Sequence, residues 1–189
     1  MLHVFKVKNE WWLWKSELSD EVIDGIIERC EGLPVQESTI CGNKEDFSIR
    51  KSKVKWANKD SELREIIWGY GSVANSNAFG FDITNKFDIQ FTTYKGKDKS
   101  YYTWHTDNNW LGEGFYDRKV SLVIQLSDPS DYEGGKFEFE TNGEIISPEG
   151  FEKKGSIIAF PSFMKHRVNP VTKGTRHSLV SWIEGPHFR

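Results

Sequence analysis

Val120-Ser121-Leu122-Val123-Ile124-Gln125-Leu126 carries an apolar side chain at every second position: Val120, Leu122, Ile124 and Leu126. Successive side chains of an extended chain point to opposite faces, so a period of two predicts a strand with one apolar face. The same period runs through Phe79, Phe81 and Ile83, and again through Phe87, Ile89 and Phe91. Shorter strand-like runs occupy 136–140, 156–160 and 178–184. Turn-forming pairs separate these runs, among them Asn85-Lys86, Asp128-Pro129, Gly134-Gly135, Asn142-Gly143 and Lys173-Gly174.

Upstream the period lengthens. From Ser19, a residue type that caps helix N-termini, Val22, Ile23, Ile26 and Ile27 fall at helical spacing until Gly32-Leu33-Pro34. A second helical pattern starts near Asp60-Ser61, carries Leu63, Ile66 and Ile67, and is expected to stop before Gly69 and Gly71. Two helices followed by many short strands predict a mainly β protein, a sandwich or barrel with the N-terminal helices packed on one sheet. A double-stranded β-helix of jelly-roll, cupin-like type is the expected form, although periodicity alone does not separate it from other sandwiches. The 189 residues suit one domain, with 1–78 supplying supporting helices and N-terminal strands and 79–189 the β core.

Bulk properties narrow the classes of function. A net charge of −3 gives no field that would draw in a polyphosphate backbone, so nucleic acid is not the expected partner. Two cysteines, Cys30 and Cys41, are too few for a disulfide framework or a four-cysteine metal site. Lys6, Lys8, Glu10 and Lys15 interrupt the N-terminal apolar residues, and no other stretch could span a membrane as a helix. A cytoplasmic location is the expectation.

Chemistry enters with His105-Thr106-Asp107, where residues i and i+2 of an extended segment can turn an imidazole and a carboxylate toward one ion. Such a triplet is a weak signal alone. His166 and, ten residues later, Arg176 flank the turn-rich Asn169-Pro170-Val171-Thr172-Lys173-Gly174, so their segments are expected to run back along each other as neighbouring strands. Two histidines and one carboxylate on one face of an octahedral ion leave three positions open, which suits Fe(II) that activates O2. A 2-oxo acid takes two of those positions and O2 the third. The far carboxylate of the acid then needs a cation deeper in, and the planar fork of Arg176 pairs with a carboxylate bidentately. Ser178 shares the face of Arg176 and offers a hydroxyl, while His177 points away.

Several pieces in order resemble one family. Tyr94-Lys95-Gly96 and Tyr101-Tyr102-Thr103-Trp104-His105-Thr106-Asp107-Asn108 resemble the tyrosine-rich approach to the first two ligands of the prolyl 4-hydroxylase type of 2-oxoglutarate/Fe(II) dioxygenases. Within it the likeness is to the bacterial and phage group of PKHD-type hydroxylases. Leu126-Ser127-Asp128-Pro129-Ser130-Asp131-Tyr132-Glu133-Gly134-Gly135 resembles that family's next loop. Gly155-Ser156-Ile157-Ile158-Ala159-Phe160-Pro161 and the stretch from His166 to Arg176 resemble its distal ligand and co-substrate arginine. The resemblance covers about residues 87–185. It implies Fe(II) on His105, Asp107 and His166, and 2-oxoglutarate on Arg176 with Tyr94 and Ser178 as further donors. It implies O2 as oxidant, ascorbate as an optional reductant, succinate and CO2 as products, and a bacterial or phage origin. The expected reaction is hydroxylation of a prolyl residue in a protein or peptide, with a free amino acid or other small molecule as the alternative. Arg118 resembles a substrate contact. Trp182 shares the parity of Arg176 and is expected inside the cavity, and Tyr102 and Trp110 are further substrate candidates. The aromatic, glycine-bearing segment 108–117 reads as a lid beside the metal. Related nucleobase demethylases carry a second arginine six residues after the first. Here that position is Trp182.

Overall fold

The computed structural model describes residues 10–37, 49–108 and 116–188. Two antiparallel sheets face each other, and two helices cover the outer face of the larger one. The strands, in chain order, are β1 (Trp12–Trp14), β2 (Gln36–Glu37), β3 (Arg50–Lys51), β4 (Lys53–Trp56), β5 (Phe87–Lys95), β6 (Tyr101–His105) and β7 (Asp117–Gln125). There follow β8 (Tyr132–Gly134), β9 (Phe137–Thr141), β10 (Glu144–Ile146), β11 (Ile157–Pro161), β12 (Lys165–Val168) and β13 (Val171–Gly185). The larger sheet has the order β1-β11-β7-β13-β5-β4-β2, with β8 on the start of β13, and the smaller has β10-β9-β12-β6-β3. This is the jelly-roll sandwich expected from the sequence.

Helix α1 (Asp20–Glu31) begins where Ser19 accepts a hydrogen bond from the Val22 amide at 3.4 Å, with Asp20 and Glu21 near the positive end of the helix dipole. Helix α2 (Ser61–Ala74) begins at Asp60, whose carboxylate accepts the Leu63 amide at 3.0 Å. Ile23, Ile26, Leu63 and Ile67 pack against Phe87, Ile89, Phe91, Val120, Leu122, Ile124, Leu179 and Ile183. Each such fully buried side chain contributes about 1.5–3 kcal/mol. The alternation that marks the strands in the sequence is therefore the helix-facing side of the larger sheet. The opposite side chains of the same strands meet Phe137, Phe139 and Val168 of the smaller sheet inside the sandwich.

Three expectations change. Helix α2 runs through Gly69 and Gly71 instead of stopping, because a Cβ at Gly71 would overlap the Cδ1 of Ile183, so the glycine lets the helix lie close on the sheet. The helix then passes into a π turn over Asn75–Phe79 that ends at Gly80. Phe79, Phe81 and Ile83 are consequently not a strand. Their alternation is local to the turn and the segment after it, where the Asn75 side chain bonds both the amide and the carbonyl of Phe81 at 2.9 Å.

The pair Lys173-Gly174 is not a hairpin turn either. It lies within β13, where the register against β8 shifts and Gly174 takes φ +67. A Cβ there would overlap the Asp131 carbonyl oxygen, and backbone cannot swing aside as a side-chain end can. Gly174→Ala should lower stability by about 1–3 kcal/mol, seen as a lower urea midpoint with an unchanged slope.

Candidate active site

His105 closes β6, and His166 lies directly opposite it on β12, the two Cα atoms being register partners. Each ring is oriented in the same way. His105 Nδ1 lies 2.8 Å from the Thr103 carbonyl oxygen and His166 Nδ1 lies 2.9 Å from that of Met164. A carbonyl only accepts, so each Nδ1 carries the proton and each Nε2 presents a lone pair to the cavity. Asp107 follows the strand, tied down by its amide donating to the Ser162 carbonyl at 2.8 Å. Its Oδ1 is 3.6 Å from His105 Nε2 and its Oδ2 is 3.5 Å from His166 Nε2. One donor atom from each residue lies within 4.8 Å of the others, close enough to share an ion.

Burial alone would raise the Asp107 pKa, but His166, His105, a 2.6 Å hydrogen bond from Ser121 and the nearby Arg118 outweigh it and hold the carboxyl below its usual range. His105 is pushed down to about 3, first by burial and then by the neighbouring His166. Both groups are thus in the protonation state a metal ligand needs at neutral pH. Burial pushes the Tyr102 phenol up to about 12, so it stays a neutral donor. It stacks on His105 with ring centroids 3.4 Å apart.

Arg176 lies deeper, on β13, and is 2% exposed. Its Nη1 is buried without a hydrogen-bond partner, and among the described residues no carboxylate pairs with it. A buried guanidinium left open is a poor structural element but a ready seat for a carboxylate. That observation, with the donor set above, is where Fe(II) and a dicarboxylic 2-oxo acid fit the residues present.

Most sequence-derived candidates come together. Tyr94, Tyr102, His105, Asp107, His166, Arg176, Ser178 and Trp182 all line one cavity. Tyr94 is the register partner of Arg176, and the guanidinium carbon lies 5.6 Å from its ring centroid. Arg118 lies beside this cavity, stacked on Trp182 at 4.1 Å, with Nη1 3.4 Å from the Asp107 carbonyl oxygen. His177 does turn away and stacks on Phe91 on the other face. Trp110, with residues 109–115 of the expected lid, lies outside the described residues.

The expected strand pairing is corrected. His166 and Arg176 are not on neighbouring strands, since β12 belongs to the smaller sheet and β13 to the larger. They meet across the interior of the sandwich, and residues 169–170 carry the chain from one sheet to the other. Three residues that bear on the site were not foreseen. Ser121 orients Asp107, Ser162 bonds Ser121 at 2.9 Å, and Arg50 lines the cavity from β3. None stands in a readable motif, because each is defined by a partner far away in the chain.

A jelly-roll sandwich holding two histidines, one carboxylate and a deeper arginine defines a non-haem iron oxygenase that uses a 2-oxo acid. Residues 89–184 match the profile of the 2OG-Fe(II) oxygenase superfamily, and the chain belongs to that superfamily, in its PKHD-type hydroxylase group. The cofactor set of the family is Fe(II), 2-oxoglutarate and O2. A PKHD-type hydroxylase of Idiomarina loihiensis is 30% identical over 158 residues, covering 76% of this chain and 70% of that protein. One from Thermosynechococcus vestitus is 41% identical over 86 residues, 44% of this chain but 37% of that protein, so the chain spans well under half of this relative. The fold matches a Pseudomonas putida prolyl-4-hydroxylase with TM-score 0.74 at 18% identity, covering 92% of both chains. A prolyl hydroxylase from Trichoplax adhaerens, solved with a peptide fragment of hypoxia inducible factor, matches with TM-score 0.76 at 18% identity, over 93% of this chain and 83% of that one. Among the described residues no helix is long and apolar enough to cross a membrane.

The lowered pKa of His105 has a thermodynamic consequence. The unfolded chain takes up a proton on this histidine near its ordinary value of 6.5, whereas the folded chain resists until about pH 3. Stability is therefore full above pH 6.5 and falls as pH drops through that window. The metal-free protein should lose about 1–2 kcal/mol from this group between roughly pH 7 and pH 5. Urea titrations at the two pH values check it, and His105→Asn should flatten the dependence.

Proposed function

We propose that the chain is a 2-oxoglutarate- and Fe(II)-dependent hydroxylase of a prolyl residue in a protein or peptide, with His105, Asp107 and His166 as metal ligands and Arg176 as the co-substrate anchor. The observation that carries the reading is the buried Arg176 Nη1, without a hydrogen-bond partner, in the cavity that also holds the His105–Asp107–His166 cluster. Bound iron and O2 supply the oxidising power that turns 2-oxoglutarate into succinate and CO2 and puts oxygen on a C–H carbon.

The chain's own residues do the rest. Thr103 and Met164 carbonyls hold the two rings with Nε2 inward, and Ser121 holds the carboxylate between them. Arg176 seats the far carboxylate of 2-oxoglutarate, with Ser178 and Tyr94 beside it. Val123, Phe137, Val168 and Val180 wall the cavity with apolar surface, which excludes water and strengthens every charged contact inside. Arg118, stacked on the cavity-lining Trp182, is the candidate substrate contact. Support for a prolyl substrate comes from the fold shared with prolyl hydroxylases, one of them solved with a peptide.

Purified protein given Fe(II), 2-oxoglutarate, ascorbate and proline peptides should release succinate and add the mass of one oxygen atom to a prolyl residue. Oxidation of free metabolites only, across a proteome-wide peptide set, defeats the prolyl assignment. His105→Ala, Asp107→Ala and His166→Ala should each abolish turnover with the circular dichroism spectrum retained. Arg176→Ala should weaken 2-oxoglutarate binding by about 2–5 kcal/mol, seen in its Michaelis constant. Ser121→Ala removes the hydroxyl that bonds Asp107 and Ser162 and should lower Fe(II) affinity by about 10–100-fold in a metal titration, without touching the Michaelis constant for 2-oxoglutarate.

A further inference from the structure

Arg50 is 6% exposed and lines the same cavity as Arg176. Its Nε donates to Ser52 Oγ at 2.8 Å, and its Nη2 donates to Gln90 Oε1 at 2.7 Å and Thr92 Oγ1 at 3.4 Å. All these partners are neutral, and among the described residues no carboxylate pairs with it. An arginine does not shed its proton, so among the described residues a full positive charge stays buried without a counter-ion. The neutral partners fix the plane of the guanidinium and leave its charge unanswered.

Charge balance says what is missing. The charged side chains lining the cavity are Arg50, Arg176, and Asp107. Fe(II) and the 2-oxoglutarate dianion cancel each other, and the Asp107 charge is answered by Arg118 beside the cavity. Arg176 faces the co-substrate, which leaves the charge of Arg50 without a partner. Position agrees with charge. The guanidinium carbon of Arg50 lies 4.7 Å from the centroid of the Tyr102 ring, and the same ring stacks on His105. Arg50 is thus one ring away from a metal ligand, on the smaller sheet, and it reaches Gln90 and Thr92 on β5, the strand beside the one that carries Arg176. A substrate placed at the metal has Arg50 within reach of its next functional group.

We propose that Arg50 anchors a carboxylate carried by the substrate, either the free carboxylate of an amino acid or the side chain of an acidic residue beside the hydroxylated one in a peptide. The planar fork of a guanidinium, fixed in its plane by Ser52 and Gln90, matches the planar pair of oxygens of a carboxylate. The proposal rests on the oxygenase reading of the cavity, and its test separates the two.

The full chain is loaded with Fe(II) and 2-oxoglutarate without O2, and the visible charge-transfer absorbance of the complex is recorded. O2 is then admitted with matched pairs of compounds: proline peptides with Glu or Gln flanking the target, and free amino acids against their amides. The acid member of a pair should turn over roughly tenfold or more efficiently than the neutral one, and the pair that responds names the source of the carboxylate. Arg50→Gln, which keeps polar contacts but not the charge, should erase the preference and raise the Michaelis constant of the acid roughly 30-fold or more. It should leave that of 2-oxoglutarate within about twofold, and Arg50→Lys should restore part of the preference. The pairwise comparison needs only wild-type protein, so poor folding of a variant does not blunt it. Equal turnover of acid and neutral partners overturns the proposal, as does turnover of no acid compound while the charge-transfer complex forms. A matching rise in the Michaelis constant for 2-oxoglutarate in Arg50→Gln would hand Arg50 to the co-substrate and overturn it too. No charge-transfer complex at all is failure of the oxygenase reading itself.

Discussion

Asp107 is a carboxylate taken almost entirely out of water, and a buried ion costs several kcal/mol unless its surroundings answer the charge. Here the answer comes from several directions at once: two imidazoles, the Ser121 hydroxyl and the Arg118 guanidinium. Those groups sit on β6, β12 and β7, so the charge is satisfied only when strands of both sheets are in place. The site and the closure of the sandwich are one constraint. Register follows from it, since His105 and His166 must be direct cross-strand partners for both Nε2 atoms to reach one carboxylate.

The strands were legible because of their helix-facing side. Val120, Leu122 and Ile124 alternate cleanly, and the pattern reports a face packed on α1 and α2. The opposite parity of the same strands carries Ser121 and Gln125 on β7, Gln90 and Thr92 on β5, and Arg176 and Ser178 on β13. On an ordinary sheet polar residues at this parity face solvent. These are all buried, because the second sheet closes over them and leaves a polar-lined cavity. Period-two patterning identifies a strand but does not distinguish a wet face from the wall of an active site. His105, Asp107, His166 and Arg176 could be picked out because residue type and chain order point to one chemistry. Arg50 and Ser121 could not, since only their tertiary contacts set them apart from any surface arginine or strand serine.

The misread elements share a cause. Gly69 and Gly71 look like a helix stop, and Lys173-Gly174 looks like a hairpin turn, when glycine is taken only as a breaker. In the fold, Gly71 and Gly174 are places where backbone comes too close to something else for a Cβ: the end of Ile183 in one case, the carbonyl of Asp131 in the other. The second case matters for the site. With the turn placed at 173–174, His166 and Arg176 would be side-by-side neighbours on one sheet. Instead the chain crosses between sheets before Val171, and β13 lies in the larger sheet while His105 and His166 lie in the smaller. An elongated co-substrate reaching from the metal to a deeper cation then spans the interior of the sandwich and does not lie along one sheet.

The two buried guanidiniums extend the same electrostatic argument beyond Asp107. A core optimised for stability alone would replace Arg50 and Arg176 with apolar side chains, because a buried charge without a counter-ion is destabilising and a well-packed hydrophobic substitute is not. Both are instead held rigidly, Arg176 against Tyr94 and Arg50 by Ser52, Gln90 and the face of Tyr102. Rigid, desolvated and unanswered charge is the state in which a carboxylate gains most from binding, since the protein has already borne the cost of dehydrating and orienting its half of the pair. One such cation stands on each sheet, and both line the cavity that also holds His105, Asp107 and His166. Local stability is given up on the inner faces of the two sheets, and what it leaves there is fixed positive charge to which an anionic ligand would be drawn.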